Sequence, residues 1–91
     1  MRYIIAEAAL EAVTLEMNNK VQREWGWKKT GRHCFIDGDG EEARVIESPD
    51  FIRDAPQGAI CYSGGQLDKN PYADRFRDLN AAGKIKIVEV V

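Results

Sequence analysis

Short runs of apolar residues constrain the fold of this chain more than any other sequence feature. They lie at residues 3–5, 59–62 and 85–91, and in the first two the apolar residues are consecutive rather than alternating. Such runs are typical of strands that are covered on both faces. A chain of 91 residues is long enough to bury one hydrophobic core but not two. The sequence therefore predicts a single domain, residues 1–91, around a buried sheet.

A helix is predicted directly after the first strand, over about residues 7–24, and Gly26 marks its end. Its buried stripe follows three- and four-residue steps along the chain: Leu10, Val13, Met17, Val21 and Trp25. This spacing places the five side chains on one face of a helix.

Two further helices begin at the same kind of signal, a capping side chain followed by proline. Ser48 precedes Pro49, and Asn70 precedes Pro71. A side-chain oxygen caps the first backbone N–H groups of a helix, and proline is favoured at the first helical position. The first signal predicts a helix of about two turns, and the second a helix that ends at Gly83.

Residues 25–47 form the segment that is hardest to assign. The Asp-Gly-Asp-Gly sequence at 37–40 favours a turn, and extended residues flank it. We expect a β-hairpin in which residues 32–37 pair with residues 42–47. The sequence leaves open whether this hairpin extends the sheet or projects as an arm.

Strands that alternate with helices predict parallel pairing through right-handed crossovers. We therefore expect a three-layer α/β domain with a mainly parallel sheet of four or five strands. The expected strand order is the flavodoxin-like 2-1-3-4, with the hairpin as an insertion between the first two crossovers.

Residues 44–90 resemble a loose group of very small phage-encoded α/β proteins of uncharacterised function. The shared pattern is a strand, Ser-Pro-acid, a short helix, a strand that ends in Gly-Gly, and then Asn-Pro with a helix. The hairpin is an insertion relative to this pattern. The resemblance implies a phage origin and action by binding and blocking a host factor, and it implies no catalytic residues.

Charge and hydropathy argue against several classes of function. Thirteen basic residues are scattered among 15 acidic ones, with a net charge of −2, which disfavours nucleic-acid binding. The apolar runs are far shorter than the ~20 residues of a membrane span, and the first is too short for a signal peptide. We expect a cytoplasmic protein, inside the bacterial host if it is phage-encoded, in which Cys34 and Cys61 stay reduced.

One binding crevice is predicted at the turn that follows the strand at 59–62. Ligands of open α/β sheets bind beyond the carboxyl ends of the strands, and free amides beside a helix start can hold an anion. A nucleotide or phosphorylated metabolite fits this chemistry, whereas a tight turn without a ligand is the alternative. The predicted ligand-binding residues are Ser48, Ser63, Gly64, Gly65, Gln66 and Asn70.

A protein-binding surface is predicted at the tip of the hairpin. The acids there lack the spacing of a calcium loop, but a negative cluster steers a basic partner. Trp27 follows the glycine that ends the first helix, and tryptophan is enriched in interface hot spots. The predicted partner-binding residues are Trp27, Asp37, Asp39, Glu41 and Glu42.

The sequence contains no recognisable catalytic motif. His33 has no serine near it in the sequence, and no nucleophile motif flanks Cys34 or Cys61. We therefore predict no catalytic residue, no metal and no cofactor. The expected function is a non-enzymatic interaction protein, with inhibition of a host or bacterial defence factor by protein–protein contact as its expected form. The alternatives are a small-ligand domain at the Gly64-Gly65 turn and self-association through an exposed edge strand.

Overall fold

A computed structural model describes residues 1–7 and 17–90 of the chain. Six strands form one sheet in the order β2-β3-β4-β1-β5-β6. The strands are β1 (Arg2–Ile5), β2 (Lys28–Gly31), β3 (Cys34–Ile36), β4 (Glu42–Ile46), β5 (Ala59–Ser63) and β6 (Ile85–Glu89).

Helical segments connect these strands. The described part of the first helix, α1, covers residues 17–24, and its last turn, Lys20–Glu24, is π-helical. The part of the predicted helix at residues 8–16 lies outside the described residues. Two 3₁₀ helices follow, Pro49–Ile52 and Leu67–Lys69, and then α2, Ala73–Ala81.

The sheet is mixed. Strand β1 pairs in parallel with β4 and β5, and β5 pairs in parallel with β6. Strand β3 pairs antiparallel with both β2 and β4. The predicted mainly parallel sheet of four or five strands in flavodoxin-like order, with the hairpin as an insertion, is therefore wrong.

The error has a physical cause, because β4 uses both of its edges. One edge completes the hairpin with β3 and the other pairs with β1, so the hairpin is part of the sheet. Strand β2 then adds a sixth strand from a polar stretch, Lys28 to Gly31, that carries no apolar pattern.

The two faces of the sheet are buried by different elements. On one face, Val21 of α1 packs with Ile4, Phe35, Val45 and Tyr62. Their neighbours along the strands point to the other face, since strand side chains alternate.

On that second face, Phe76 of α2 and Ile52 of the first 3₁₀ helix pack with Ile5, Cys61 and Ile85. The fold thus buries two separate apolar clusters, one on each face.

Side-chain hydrogen bonds occur at both predicted helix starts, but the helical segments differ from the prediction. The first is a 3₁₀ helix of four residues and not a helix of two turns, and α2 has Tyr72, not Asn70, as its N-cap. Ser48 has extended backbone angles, and its Oγ accepts a hydrogen bond from the backbone N–H of Asp50 at 3.2 Å. Asn70 Oδ1 accepts from the backbone N–H of Tyr72 at 2.7 Å, and α2 begins at the following residue. Among the residues that the structure describes, no helix has the length and apolar character needed to cross a membrane.

Candidate functional site

The carboxyl ends of β1 and β4 are joined by one buried amide. Asn70 Nδ2 donates to the backbone carbonyl of Ala6 at 2.7 Å and to that of Glu47 at 2.9 Å. Asn70 Oδ1 also accepts from the Tyr72 N–H, so both the nitrogen and the oxygen of the side-chain amide form hydrogen bonds within the fold. The residue predicted to face a ligand instead holds two strand ends together.

The Gly64 backbone lies against a partly buried ion pair. Lys20 Nζ of α1 donates to Glu7 Oε1 at 2.6 Å and to the carbonyl oxygen of Gly64 at 3.2 Å. A Cβ atom on Gly64 would overlap both the Glu7 carboxylate and the Lys20 ammonium. A larger residue at this position would therefore displace the Glu7–Lys20 ion pair from the Gly64 backbone.

Two of the other predicted ligand-binding residues, Ser48 and Ser63, also form hydrogen bonds within the fold. Ser63 Oγ accepts from the backbone N–H of Gly65 at 3.3 Å, and Ser48 Oγ caps the first 3₁₀ helix. Gln66 is exposed and precedes the second 3₁₀ helix. The geometry supports a tight structural turn, and ligand binding at this turn stays a prediction.

A shallow concavity of about 580 Å³ adjoins this turn. Its charged lining consists of Asp68, Glu89 and Arg77. The Arg77 guanidinium already donates to Asp68 and lies 3.5 Å from the Asp74 carboxylate. Two carboxylates beside one paired cation repel an anion, so this surface does not favour the predicted nucleotide or phosphate ligand.

At the hairpin tip, the Asp37 carboxylate lies in a buried polar cluster. Its side chain is 0% exposed, and its Oδ2 accepts from Arg2 Nη1 at 2.8 Å and from the Tyr62 hydroxyl at 2.7 Å. Its Oδ1 accepts from the backbone N–H groups of Asp39 and Glu41, both at 2.9 Å. The turn is closed further by Gly40, whose φ of 81° favours glycine.

These hydrogen bonds change the protonation properties of the cluster. Burial alone raises the pKa of Asp37, but the bonds from Tyr62, the Glu41 amide and Arg2 outweigh it and lower that pKa below its usual value. Burial, and then donation to Asp37, raise the pKa of Tyr62. Hydrogen bonds to Asp39, Asp37 and Tyr62 raise the pKa of Arg2. The cluster thus pairs a carboxylate with a permanent cation and a neutral phenol.

The predicted partner-binding acids are therefore not equivalent. Asp37 is buried inside the fold, and Asp39, whose side chain is 72% exposed, pairs with Arg2 at 2.7 Å. Glu41 and Glu42 are exposed. Sequence reasoning missed the internal role of Asp37, and its position directly after an apolar strand was the available signal.

Trp27 is half-buried and belongs to a chain of aromatic rings. Its ring centroid lies 4.8 Å from that of Trp25 and 4.7 Å from that of Tyr62, both in edge-to-face geometry. Edge-to-face contacts of this kind stabilise aromatic pairs beyond their apolar burial. Trp27 therefore fixes the start of β2 against the sheet.

Strand β2 is the most exposed element of the sheet. All four of its residues are exposed, and within the described part of the chain it pairs with β3 alone. Its register against β3 shifts between Lys29 and Gly31, which marks an irregularity near Thr30. With Lys28, Lys29 and Arg32, this segment carries three cations, and no acid occurs from Trp25 to Ile36.

At the opposite edge of the sheet, a side chain accepts a hydrogen bond from the backbone of the edge strand, β6. The backbone N–H of Ile87 donates to Oδ1 of Asn80, a residue of α2, at 3.0 Å. A side chain thus satisfies a backbone donor of this edge strand. This bond occupies one of the backbone donors that an added strand would use.

Cys61 and His33 are the cysteine and histidine whose protonation the fold changes most clearly. Cys61 is buried, and burial raises the pKa of its thiol to about 12, which keeps it protonated and inert. Burial, together with Arg32 and Arg44, lowers the pKa of His33. Across residues 1–7 and 17–90, no three His, Cys, Asp or Glu side chains come together as metal ligands.

Comparison with protein-family models, with curated proteins and with solved structures finds no match. A functional assignment therefore depends on the geometry of the molecule alone. The resemblance of residues 44–90 to small phage proteins stays a prediction.

Proposed function

We propose that this chain is a non-enzymatic binding domain that accepts an extended acidic segment of a partner protein beside β2. The observation that carries the proposal is the full exposure of β2 at an edge of the sheet. Strand addition uses the free backbone donors and acceptors of such an edge for affinity. The contrast with β6, where Asn80 occupies the Ile87 amide, selects β2 as the binding edge.

The residues at the start of β2 are held in place in the free protein. The ring chain of Trp25, Trp27 and Tyr62 fixes the residues that precede the strand, and β3 pairs along its inner edge. A strand that is already extended loses little conformational entropy on binding. This rigidity favours β2 as a template for an added strand.

Charge defines the partner. Lys28 and Lys29 lie on the strand and Arg32 follows it, so an acidic segment gains attraction along the whole contact. A second copy of β2 would place lysine against lysine, which is unfavourable for paired strands. Edge lysines commonly prevent self-pairing. The same residues that disfavour self-association thus select an acidic partner.

An inhibitor of a host or bacterial defence factor, the role that the phage resemblance implies, would act through this contact. Its partner would lie in the cytoplasm of the host. The exposed Glu41 and Glu42, at the turn that joins β3 to β4, would then contact basic residues of the same partner.

The proposal is tested by selecting binders from a displayed library of random extended peptides, followed by NMR of the ¹⁵N-labelled protein. We expect enrichment of acidic peptides whose binding shifts the amide signals of Lys28–Gly31 and weakens at high salt.

The decisive variant is Lys28→Glu/Lys29→Glu, with Lys69→Glu/Lys86→Glu as the control of equal net charge. Both control lysines are exposed and lie away from β2. Binding should be lost in the first variant and kept in the second. Peptides that bind both variants equally, or that shift signals only elsewhere, would refute strand addition at β2.

A further inference from the structure

A cleft of about 430 Å³ opens on the α2 face of the molecule, at the opposite end of the sheet from β2. Its walls are the first 3₁₀ helix, α2 and the start of β6. Small-molecule sites have volumes of about 300–1,000 Å³ and combine an apolar lining with a few polar groups. The cleft has the size of such a site.

The floor of the cleft is apolar. Ile52 and Ile85 are buried members of the second apolar cluster, and Leu79 packs against that cluster while staying partly accessible. An apolar body in the cleft therefore contacts Leu79 and the small accessible parts of Ile52 and Ile85, and burial of that apolar surface is favourable.

The rim of the cleft is basic. Arg53, Arg75 and Lys84 contribute three cations, against one acid, Asp50. Asp50 Oδ1 lies 3.4 Å from Arg53 Nη2 and 3.5 Å from Arg75 Nη2, and all three side chains are largely exposed. Exposed ion pairs of this length contribute little, so both guanidinium groups remain available to another anion.

The third cation is Lys84, and two hydrogen bonds hold its backbone in place. Its N–H donates to the carbonyl of Leu79 at 3.0 Å, and its carbonyl accepts from Gly58 N–H at 2.8 Å. No carboxylate of the described residues lies within salt-bridge distance of its ammonium group. The cleft therefore combines an apolar floor with an excess of positive charge.

We propose that this cleft binds a small organic anion, a carboxylate or phosphate monoester attached to an alkyl or aryl body. Guanidinium groups recognise both head groups through paired hydrogen bonds, and lysine adds a point charge. The apolar body would cover Ile52, Leu79 and Ile85. This site is independent of β2, and its failure would leave the proposed function intact.

The probes are phenyl phosphate and hexanoate, titrated into the ¹⁵N-labelled chain, with hexylammonium and hexanol as matched cationic and neutral probes. We expect the anions to bind and to shift the amide signals of Ile52, Leu79, Lys84 and Ile85. Equal shifts with hexylammonium or hexanol would overturn the proposal, because the basic rim would then contribute nothing.

The variant Arg75→Gln/Lys84→Gln removes two of the three cations, and Arg44→Gln/Lys86→Gln removes the same charge elsewhere on the surface. Since a hydrogen bond to a charged group contributes about 1.5–3 kcal/mol, the first variant should bind phenyl phosphate about tenfold more weakly or worse. The control should stay within about twofold of the parent protein. Equal affinity of the two variants would contradict the site, as would shifts confined to Ser63–Gln66.

Discussion

The two ends of the sheet are stabilised by different means. The hairpin end, which comprises β2, β3 and the turn at 37–41, is attached through the buried Asp37 carboxylate and the ring chain of Trp27. The helix end, which comprises β6 and α2, is attached through apolar packing of Phe76 and Ile85. The hairpin end thus adds a buried polar cluster to the apolar packing of Phe35, whereas the helix end is attached mainly by apolar packing.

This difference follows from how the strands are connected. Parallel strands need crossovers, and the crossover between β5 and β6 places α2 against the helix end, where Asn80 reaches the edge. An antiparallel hairpin needs only a tight turn, so no crossover helix accompanies β2 and β3. The hairpin end thus keeps an open edge strand, and the open edge is where we place the function.

The largest expected effect comes from the apolar side of this comparison. Phe76→Ala removes a fully buried ring and should lower the free energy of unfolding by about 3–5 kcal/mol, measured by urea denaturation. The control is Phe51→Ala, because that ring is 58% exposed. Its effect should stay within about 0.5 kcal/mol. Similar losses in both variants would contradict the packing described for the helix end.

The polar cluster is tested by Asp37→Ala. The change leaves the Tyr62 hydroxyl and two backbone N–H groups without their acceptor, and it leaves Arg2 with Asp39 and Tyr62 only. We expect a loss of about 3 kcal/mol in unfolding free energy. Asp39→Ala, at an exposed carboxylate, serves as the control and should cost less than about 1 kcal/mol. Equal effects would show that the Asp37 cluster is not what holds the hairpin end.

The same cluster predicts a pH dependence of stability. Because the pKa of Asp37 is lower in the folded chain than in the unfolded one, its contribution is complete above the unfolded pKa of about 3.9. It is lost as the pH falls through the folded value.

The measurement is the difference in unfolding free energy between the parent and Asp37→Asn at several pH values. This difference should shrink below about pH 4. A constant difference down to the acid transition would contradict the lowered pKa.

The sequence predicted the helix end better than the hairpin end, for a physical reason. The strands and helices after Ser48 bury apolar faces and use capping residues, which leave a periodic signal. Strand β2 is exposed throughout and is polar, so no pattern identified it. The hairpin pairing of β3 with β4 was predicted, whereas the parallel pairing of β4 with β1 depends on tertiary contact alone.

For the predicted site residues too, the sequence indicated local position better than long-range contacts. The sequence placed Ser48 and Asn70 at the carboxyl ends of the strands, where both lie. It did not indicate that their polar atoms bond within the fold. Asp37 was predicted to face solvent, although partners 35 and 25 residues away, Arg2 and Tyr62, bury it. Such long-range polar contacts leave no local signal.

A smaller effect is expected from Asn80→Ala at the helix end. The change removes the acceptor of the Ile87 N–H at an exposed position and should lower the unfolding free energy by about 1 kcal/mol. It also frees a donor on β6, so light scattering should show more self-association than in the control Asn80→Asp, which keeps an acceptor oxygen. Unchanged association would mean that Asn80 does not guard this edge.

Amide hydrogen exchange of the free protein tests the difference between the two edges most directly. The amides of Lys28–Gly31 that point away from β3 should exchange within the fast, unprotected range, whereas the Ile87 amide should be protected by Asn80. Addition of a selected acidic peptide should then slow the exchange of the β2 amides and leave Ile87 unchanged. Protection of all β2 amides in the free protein, or exchange of Ile87 as fast as theirs, would contradict an open hairpin end and a closed helix end.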